Sequence, residues 1–161
     1  MRRTIETGAD DCGTLIRKIA FHREVGDPGV GAGLESDEAE MIMNKTIAIV
    51  GASVDRTKYG NKAVRAFIQQ GWTVYPVNPR LSEVEGLRCY ASIDDVPAPV
   101  DRVSMYVSPN VGRRMLGAIA AKSPRQFFLN PGSGDPDLVR EAEALGLRPI
   151  EACSIVDIGL M

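Results

Sequence analysis

The stretch from Lys45 to Gly60, which reads K-T-I-A-I-V-G-A-S-V-D-R-T-K-Y-G, constrains the fold more than any other part of the sequence. The apolar residues 47–50 predict a buried strand, the small residues after them predict a tight turn, and a helical pattern begins near Lys58. In α/β sheets this strand–turn–helix unit often starts a nucleotide-phosphate site, because backbone N–H groups and the helix N-terminus face the anion. The unit therefore predicts an α/β sheet with a phosphate site at one edge.

The rest of the chain alternates between short apolar runs and helical patterns. The predicted strands cover residues 46–50, 72–77, 87–90, 102–107, 126–129 and 147–150. The predicted helices cover residues 58–70 and 110–122, and a third helix that Ser133 or Asp135 caps and that ends near Leu145. A capped turn is expected at residues 92–97 and an apolar tail at residues 152–161. Short strands separated by helices predict right-handed βαβ units and a parallel sheet.

Two regions of the chain differ in composition. Residues 1–43 contain five basic and nine acidic side chains and a Gly-rich run, whereas residues 44–161 contain fourteen basic and twelve acidic ones. The first region is predicted to be a disordered N-terminal extension, with Met41 or Met43 as an alternative start, and residues 44–161 are predicted to form a single domain. Their weak positive balance lacks the basic stripe of a nucleic-acid surface, and it suits a small anionic ligand.

Cysteine usage and hydropathy indicate the compartment. The three cysteines, Cys12, Cys89 and Cys153, are far apart and show no C-x-x-C spacing, which argues against a disulfide framework or a zinc site. No apolar run is long enough to span a bilayer, and no apolar segment follows the basic N-terminus as it would in a secretory signal. These features predict a cytoplasmic protein with no bound metal and no contact with a membrane.

The first turn does not match the dinucleotide fingerprint. Gly51 is followed by Ala52 and Ser53, and the next glycine is Gly60, so the Gly-x-Gly-x-x-Gly spacing is absent. The small side chains still let a phosphate approach the backbone, and the Ser53 hydroxyl and the Lys58 ammonium can add a donor and a positive charge. The alternative is that Gly51 only makes the turn between strand and helix.

The end of the second strand separates the candidate nucleotides. An NAD site places an acidic residue there for the ribose hydroxyls, whereas this chain reads Y-P-V-N-P-R over residues 75–80. Arg80 can pair bidentately with a phosphate, so the segment favours a ligand whose ribose carries one, such as NADP or coenzyme A. If Asn78 and Pro79 only form a turn, Arg80 is a solvated surface charge.

Two further strand ends carry residues of the same kind. Val107-Ser108-Pro109 stands at the end of the 102–107 strand, and N-P-G-S-G follows the 126–129 strand at residues 130–134. Ligands of parallel sheets bind outside the carboxyl ends of the strands, near the switch point. Each segment alone is typical of a turn, but four of them on one edge of the sheet favour a binding edge.

These segments together resemble the small cytoplasmic CoA-binding proteins, whose domain is similar to the CoA-binding domain of the succinyl-CoA synthetase α-subunit. The resemblance covers residues 44–158 and rests on V-G-A-S at 50–53, K-Y-G at 58–60, V-Y-P-V-N-P at 74–79, G-L-R-C-Y-A-S-I-D-D-V-P at 86–97, V-D-R-V at 100–103 and G-L-R-P-I-E-A-C at 146–153. It implies an α/β fold with a Rossmann-like, doubly wound parallel sheet of five or six strands. It also implies coenzyme A or an acyl-CoA as the ligand.

The resemblance further implies where the ligand makes contact. Three groups of residues follow from it: Gly51, Ala52, Ser53, Lys58, Tyr59 and Gly60 for the phosphates and adenosine, Asn78, Pro79 and Arg80 for the ribose phosphate, and Val107, Ser108 and Pro109 for the pantetheine arm. The chain departs from the family at residues 130–132, which read N-P-G where many relatives carry Gln or a similar residue before the glycine. Residues 1–43 have no counterpart in the family.

Catalysis is not expected from the globular part. Residues 45–161 contain no histidine, which removes the commonest general acid or base, and the resemblance does not include the domain that carries the phosphorylated histidine of succinyl-CoA synthetase. Cys153 has no base near it in the sequence, so a buried, unreactive thiol is the preferred interpretation.

The leading hypothesis is therefore non-catalytic binding of coenzyme A or acyl-CoA. The alternatives are an NADP-binding oxidoreductase or redox-sensing module, and an interaction subunit of an acyl-CoA synthetase. The expected partners are the nucleotide ligand and either a second copy of the chain or a synthetase-like subunit, without nucleic acid or membrane.

Overall fold

The structure, a computed structural model, describes residues 45–97 and 99–160. The predicted extension over residues 1–43, with His22, lies outside them. The strands are β1 (Thr46–Val50), β2 (Thr73–Val77), β3 (Glu83–Val84), β4 (Leu87–Arg88), β5 (Arg102–Met105), β6 (Gln126–Leu129) and β7 (Pro149–Glu151). The helices are α1 (Tyr59–Gln69), α2 (Pro109–Arg113), α3 (Leu116–Ala121), α4 (Pro136–Ala144) and α5 (Ser154–Asp157), with a 3₁₀ turn at Ile93–Asp95.

Five of these strands form one parallel sheet in the order β2-β1-β5-β6-β7. The chain leaves β1 for β2 on one side and later returns to place β5 on the other side of β1. The β1–β5 boundary is therefore the switch point, outside which ligands of such sheets bind. The predicted α/β fold with a doubly wound parallel sheet is confirmed, with five strands.

Strand β1 is buried on both faces of the sheet. Ile47 and Ile49 belong to a core with α1 and α5, whereas Ala48 and Val50 belong to a second core with α3 and α4. A strand of a parallel sheet that is covered on both faces has no polar side, so it is encoded as an apolar run. This explains the unbroken apolar pattern at residues 47–50.

Local end signals position the longer helices. Gly71 has a φ of +78°, the left-handed conformation that ends many helices, and it follows α1 as the sequence predicts. Of the two candidate caps of the third predicted helix, Asp135 is the correct one, because its Oδ1 accepts a hydrogen bond of 2.8 Å from the backbone N–H of Leu138. Ser92 caps the 3₁₀ turn, also as predicted.

The segment between β2 and the 3₁₀ turn differs from the prediction. It contains a hairpin in which β3 and β4 pair antiparallel, and the predicted strand at residues 87–90 is wrong as a strand of the main sheet. The turn residues Glu85 and Gly86 both have positive φ, 49° and 78°, as a two-residue hairpin turn requires. Tyr90 returns to the main sheet only through an isolated bridge to Val77.

Two other predicted elements need correction. The single helix predicted at residues 110–122 is two helices, α2 and α3, because the backbone tightens to i−3 hydrogen bonds from Arg114 to Val111 and from Met115 to Gly112. The predicted tail at residues 152–161 contains the short helix α5, which buries Ser154 and Ile155. The last strand, β7, also lies two residues beyond the predicted start.

Candidate functional site

Three strand ends meet at Gly51, directly after β1. Its N–H donates a hydrogen bond of 3.0 Å to the carbonyl of Val77 at the end of β2. A Cβ placed on Gly51 would lie 2.9 Å from Cγ1 of Val107, which follows β5, and the φ of Gly51 is +88°. Only glycine fits this position, because any side chain would collide with the segment after β5.

Helix α1 begins directly against this turn. A Cβ on Gly60 would lie 2.2 Å from the carbonyl oxygen of Gly51, so the absence of a side chain at residue 60 is what brings the helix so close. Lys58 is the N-cap residue, no side chain caps the helix, and no acidic side chain lies in its first turn. No acidic side chain of the helix itself therefore neutralises the positive end of its dipole, which favours an anion.

The loop between Gly51 and Lys58 is ordered by its own side chains. The Ser53 hydroxyl accepts a hydrogen bond of 3.1 Å from the N–H of Asp55, whose Oδ1 accepts bonds from the N–H and the hydroxyl of Thr57. The hydrogen bond from the Thr57 hydroxyl is the main cause that lowers the pKa of Asp55. Asp55 is therefore charged at neutral pH, and its exposed carboxylate interacts with the Lys58 ammonium.

The end of β2 is tied to this loop. Nδ2 of Asn78 donates a hydrogen bond of 2.8 Å to the carbonyl of Ala52, and its Oδ1 accepts one of 2.9 Å from the N–H of Arg80. Asn78 thus fixes the turn that presents Pro79 and Arg80, both exposed, beside the loop. The Arg80 guanidinium forms no ion pair with another residue that the structure describes.

The end of β5 supplies the third side of the site. Val107 is half-buried against Gly51, Ser108 is the exposed N-cap residue of α2, and Pro109 is the first residue of that helix. The structure thus brings Gly51, Ala52, Gly60, Asn78 and Val107 together, with Ser53, Lys58 and Arg80 on segments next to them.

Tyr59 lies on a different surface. Its ring is about half exposed, the Lys62 ammonium lies 4.7 Å from the ring centroid, and both line a groove of about 500 Å³ between α1 and the segment of α5. Ala66, Ile155 and Leu160 are apolar residues that line this groove. Tyr59 is therefore the predicted site residue whose side chain lies apart from the others.

Sequence reasoning missed a polar cluster that holds the loop from the other side. Asn61 is fully buried, and its Nδ2 donates to the carbonyl of Ser53 at 2.8 Å and to Oε1 of Glu85 at 2.9 Å. Its Oδ1 accepts a hydrogen bond of 2.9 Å from Nε of Arg65. The Gly-Asn pair at the start of α1 was the available signal, since a polar residue on the buried stripe of a helix needs partners.

A second buried polar network lies between β5, the segment after β6 and the start of α5. Asn130 donates to Oγ of Ser104 and to the carbonyl of Met105, and it accepts from the N–H of Ser154. The Ser154 hydroxyl lies 2.7 Å from that of Ser104 and 2.9 Å from that of Tyr106. Burial raises the pKa of Tyr106, so its hydroxyl stays protonated well into the alkaline range.

The two cysteines that the structure describes are not alike. Cys89 is buried, which raises the pKa of its thiol, and its Sγ lies 3.8 Å from the carbonyl of Asn78. Cys153, expected to be buried, is only partly so. Among residues 45–97 and 99–160, no three His, Cys, Asp or Glu side chains are grouped as metal ligands would be. No helix in the same residues is long and apolar enough to cross a membrane.

Comparison with known proteins shows that the chain is similar in sequence to parts of acetate–CoA ligases. The chain is 43% identical over 115 residues to the α subunit of acetate–CoA ligase [ADP-forming] II from Pyrococcus furiosus, which covers 65% of this chain and 25% of the subunit. It is 34% identical over 67 residues to acetate–CoA ligase [ADP-forming] from Methanocaldococcus jannaschii, which covers 42% of this chain and 9% of the ligase. The chain thus spans a quarter or less of these two relatives.

A solved structure matches over nearly its full length. A conserved hypothetical protein from Pyrococcus furiosus superposes with a TM-score of 0.64 at 31% identity, and the match covers 70% of this chain and 98% of that protein. The family model described as a CoA binding domain matches residues 45–158, from the residue before β1 to the residue after α5. The chain therefore belongs to the CoA binding domain family, which confirms the resemblance found in the sequence.

Proposed function

We propose that this chain binds coenzyme A or an acyl-CoA at the carboxyl edge of its sheet without catalysing a reaction. The observation that carries the proposal is the meeting of three strand ends at the switch point, where Gly51, Asn78 and Val107 lie together. Membership of the CoA binding domain family supports coenzyme A over other nucleotides that bind such an edge.

The residues present suit the diphosphate. Gly51, Ala52 and Gly60 leave no side chain beyond a methyl group over the turn, so a phosphate can approach the loop and the first N–H groups of α1, whereas the N–H groups of Gly51 and Ala52 donate to the carbonyl of Val77. The uncapped start of α1 and the Lys58 ammonium supply positive charge, which the Asp55 carboxylate offsets in part, and the Ser53 hydroxyl can donate a hydrogen bond. Coenzyme A would bring a thiol on a flexible arm, and these residues would hold its anionic end.

The two ends of the ligand have separate candidates. The exposed Arg80 guanidinium, presented by the Asn78 turn, suits a ribose phosphate because arginine pairs bidentately with phosphate oxygens. Val107, Ser108 and Pro109 form an apolar and hydroxyl-bearing rim that suits a pantetheine arm. Tyr59 would contact the ligand only if its ring left the groove between α1 and α5.

Titration calorimetry with four ligands tests the proposal. We expect CoA and acetyl-CoA to bind with similar affinity, dephospho-CoA about tenfold more weakly because it lacks the ribose phosphate, and NADPH not at all. Binding of NADPH without CoA would favour the NADP-dependent oxidoreductase or redox module instead. Incubation with acetyl-CoA, ADP and phosphate tests the absence of catalysis, since release of free CoA with formation of ATP would contradict it.

A second candidate is a subunit that associates with a separate synthetase-like chain. It is favoured by the Pyrococcus furiosus relative, which is named an α subunit and of which this chain spans 25%. If no nucleotide binds in calorimetry, this candidate becomes the leading one. Sedimentation velocity over a range of concentrations would separate a monomer from a homodimer. The cytoplasmic location stays a prediction.

A further inference from the structure

A second carboxylate, besides that of Asp55 within the loop itself, lies close to the loop that the proposed function assigns to phosphates. Oε1 of Glu85, at the tip of the β3–β4 hairpin, lies 2.9 Å from Nδ2 of Asn61 and 3.3 Å from Nε of Arg56. The same Nδ2 donates to the carbonyl of Ser53 at 2.8 Å. Only one amide nitrogen therefore separates the carboxylate from the loop backbone, where a negative charge repels an approaching anion.

The hairpin holds this carboxylate in place despite local backbone preference. Glu85 has a φ of +49°, in the left-handed region, at a turn position where Asn, Asp and Gly are preferred. Its side chain is only 22% exposed, although the residue stands at the tip of a two-residue turn. Hydrogen bonding by Asn61 and pairing with Arg56 account for this burial.

The ion pair between Arg56 and Glu85 can be exchanged for another partner of the guanidinium. Glu85 pairs with Nε at 3.3 Å and the Arg56 side chain is 65% exposed, so the pair is weak and the guanidinium can turn its terminal nitrogens Nη1 and Nη2 toward another partner. These terminal nitrogens are well suited to bidentate pairing with phosphate oxygens. The backbone carbonyl of Arg56 is fixed by a 3.1 Å hydrogen bond from Nη2 of Arg65, so the side chain can rotate without a shift of the loop.

We propose that the Glu85 carboxylate limits the affinity of this site for an anionic ligand, a role that we call the gate. In the ligand-free protein it holds Arg56, and it competes with the diphosphate of the ligand for that guanidinium. On binding, Arg56 exchanges the Glu85 carboxylate for a phosphate oxygen, while Glu85 keeps its hydrogen bond with Asn61. The inference rests on the proposed function, because the phosphate position comes from it. No covalent bond is made or broken in the exchange.

The substitution Glu85→Gln isolates the charge, because the amide oxygen can still accept the hydrogen bond from Asn61. We expect it to tighten CoA binding about fivefold at low ionic strength, the size of an exposed ion pair, and this gain to shrink at high salt. Glu83→Gln, a charge removal at an exposed position on the same hairpin, is the matched control and should leave the affinity unchanged. Unchanged or weaker binding by Glu85→Gln at low salt would overturn the gate.

Arg56→Gln provides a second test that does not depend on the hairpin. It should weaken CoA binding about fivefold, since the ligand loses the guanidinium it would recruit. Equal affinity of this variant and the natural protein would also overturn the gate. Circular dichroism of each variant shows whether the fold is intact.

Inorganic pyrophosphate separates a failure of the gate from a failure of the proposed function. Suppose that the natural protein binds no CoA, and that Glu85→Gln binds pyrophosphate more tightly than the natural protein binds it. The gate then holds and the proposed function is wrong. If CoA binds and the Glu85→Gln affinity does not rise, the gate is wrong and the proposed function holds. If neither protein binds pyrophosphate or CoA, both are overturned.

Discussion

Two loops leave the same edge of the sheet and treat their polar groups in opposite ways. In the loop after β6, Asn130 and Ser133 are each only 3% exposed. The side chain of Asn130 bonds to Ser104, to the carbonyl of Met105 and to the N–H of Ser154. This loop therefore uses its polar atoms to hold the fold together, and little remains for a ligand.

The loop after β1 is held by small residues at its contacts with the strand ends and the helix, and its polar side chains Ser53, Asp55 and Thr57 form hydrogen bonds within the loop. Gly51 and Gly60 let strand and helix touch, so the exposed side chains of Lys58 and Arg80 are not needed for packing. The comparison teaches that a position at the carboxyl end of a strand does not identify a binding residue. The useful distinction is whether its polar groups already have partners inside the protein.

Gly60→Ala should have the largest effect on stability. The new Cβ would lie 2.2 Å from the backbone carbonyl oxygen of Gly51, and backbone atoms cannot move aside as a flexible side chain can. We expect the free energy of unfolding to fall by about 2 to 4 kcal/mol, measured by chemical denaturation. Such a loss would confirm that the loop after β1 depends on close backbone contact.

Gly117→Ala is the matched control for Gly60→Ala. Gly117 lies in α3, and a Cβ there would meet no atom within 4 Å. Because alanine favours a helix over glycine, we expect no loss and a gain of up to about 1 kcal/mol. If both substitutions cost the same, the close packing of α1 against β1 is not what makes Gly60 necessary.

Asn130→Ala tests the other loop. It leaves the N–H of Ser154 without its acceptor in a buried place, so we expect the free energy of unfolding to fall by about 1 to 3 kcal/mol. CoA affinity should stay within about twofold, because distant sites rarely couple strongly. Asn110→Ala, at an exposed position of α2, controls for the loss of an amide. A large loss of affinity in a stable Asn130 variant would break the contrast between the loops.

Arg80→Gln tests whether the exposed charge beside the first loop serves a ligand. We expect CoA to bind about tenfold more weakly, and dephospho-CoA to bind equally to both proteins, because only CoA carries the ribose phosphate. Arg125→Gln is the matched control, since Arg125 is exposed and pairs at 3.8 Å with Asp101, before β5 at the opposite edge of the sheet. If the substitution weakened the binding of CoA and of dephospho-CoA equally, Arg80 would contact a part of the nucleotide other than the ribose phosphate.

Periodicity and end signals were sufficient to predict most of the fold. The apolar run at residues 47–50, the glycine after α1 and the Ser92 cap are local features, and each of them forms where the sequence predicts. The hairpin was missed because Glu85 is an unusual residue at positive φ. Helix α5 was missed because its four residues are too few to show a period.

The candidate site was harder to predict than the fold, since its polar contacts join residues that are distant in sequence. The bond between Asn61 and Glu85 spans 24 positions, and so does the bond that Asn130 accepts from Ser154. The local pattern does not distinguish the buried Asn130 from the half-buried Asn78, because both residues follow a strand and precede a proline. Burial and partners, which only the folded chain shows, decide their different roles.

Tyr106→Phe should give the smallest change and one that depends on pH. At neutral pH the loss of the hydroxyl next to Ser154 should lower the free energy of unfolding by about 1 kcal/mol.

Burial raises the pKa of Tyr106 above the value of 10.0 expected for an unfolded chain, so the folded state favours the protonated phenol. That stabilisation is complete below pH 10 and is lost as the pH rises through the higher pKa of the folded state. The difference in stability between the natural protein and Tyr106→Phe should therefore shrink above pH 10. A constant difference across this range, measured by chemical denaturation, would mean that the Tyr106 hydroxyl is not held by the buried network.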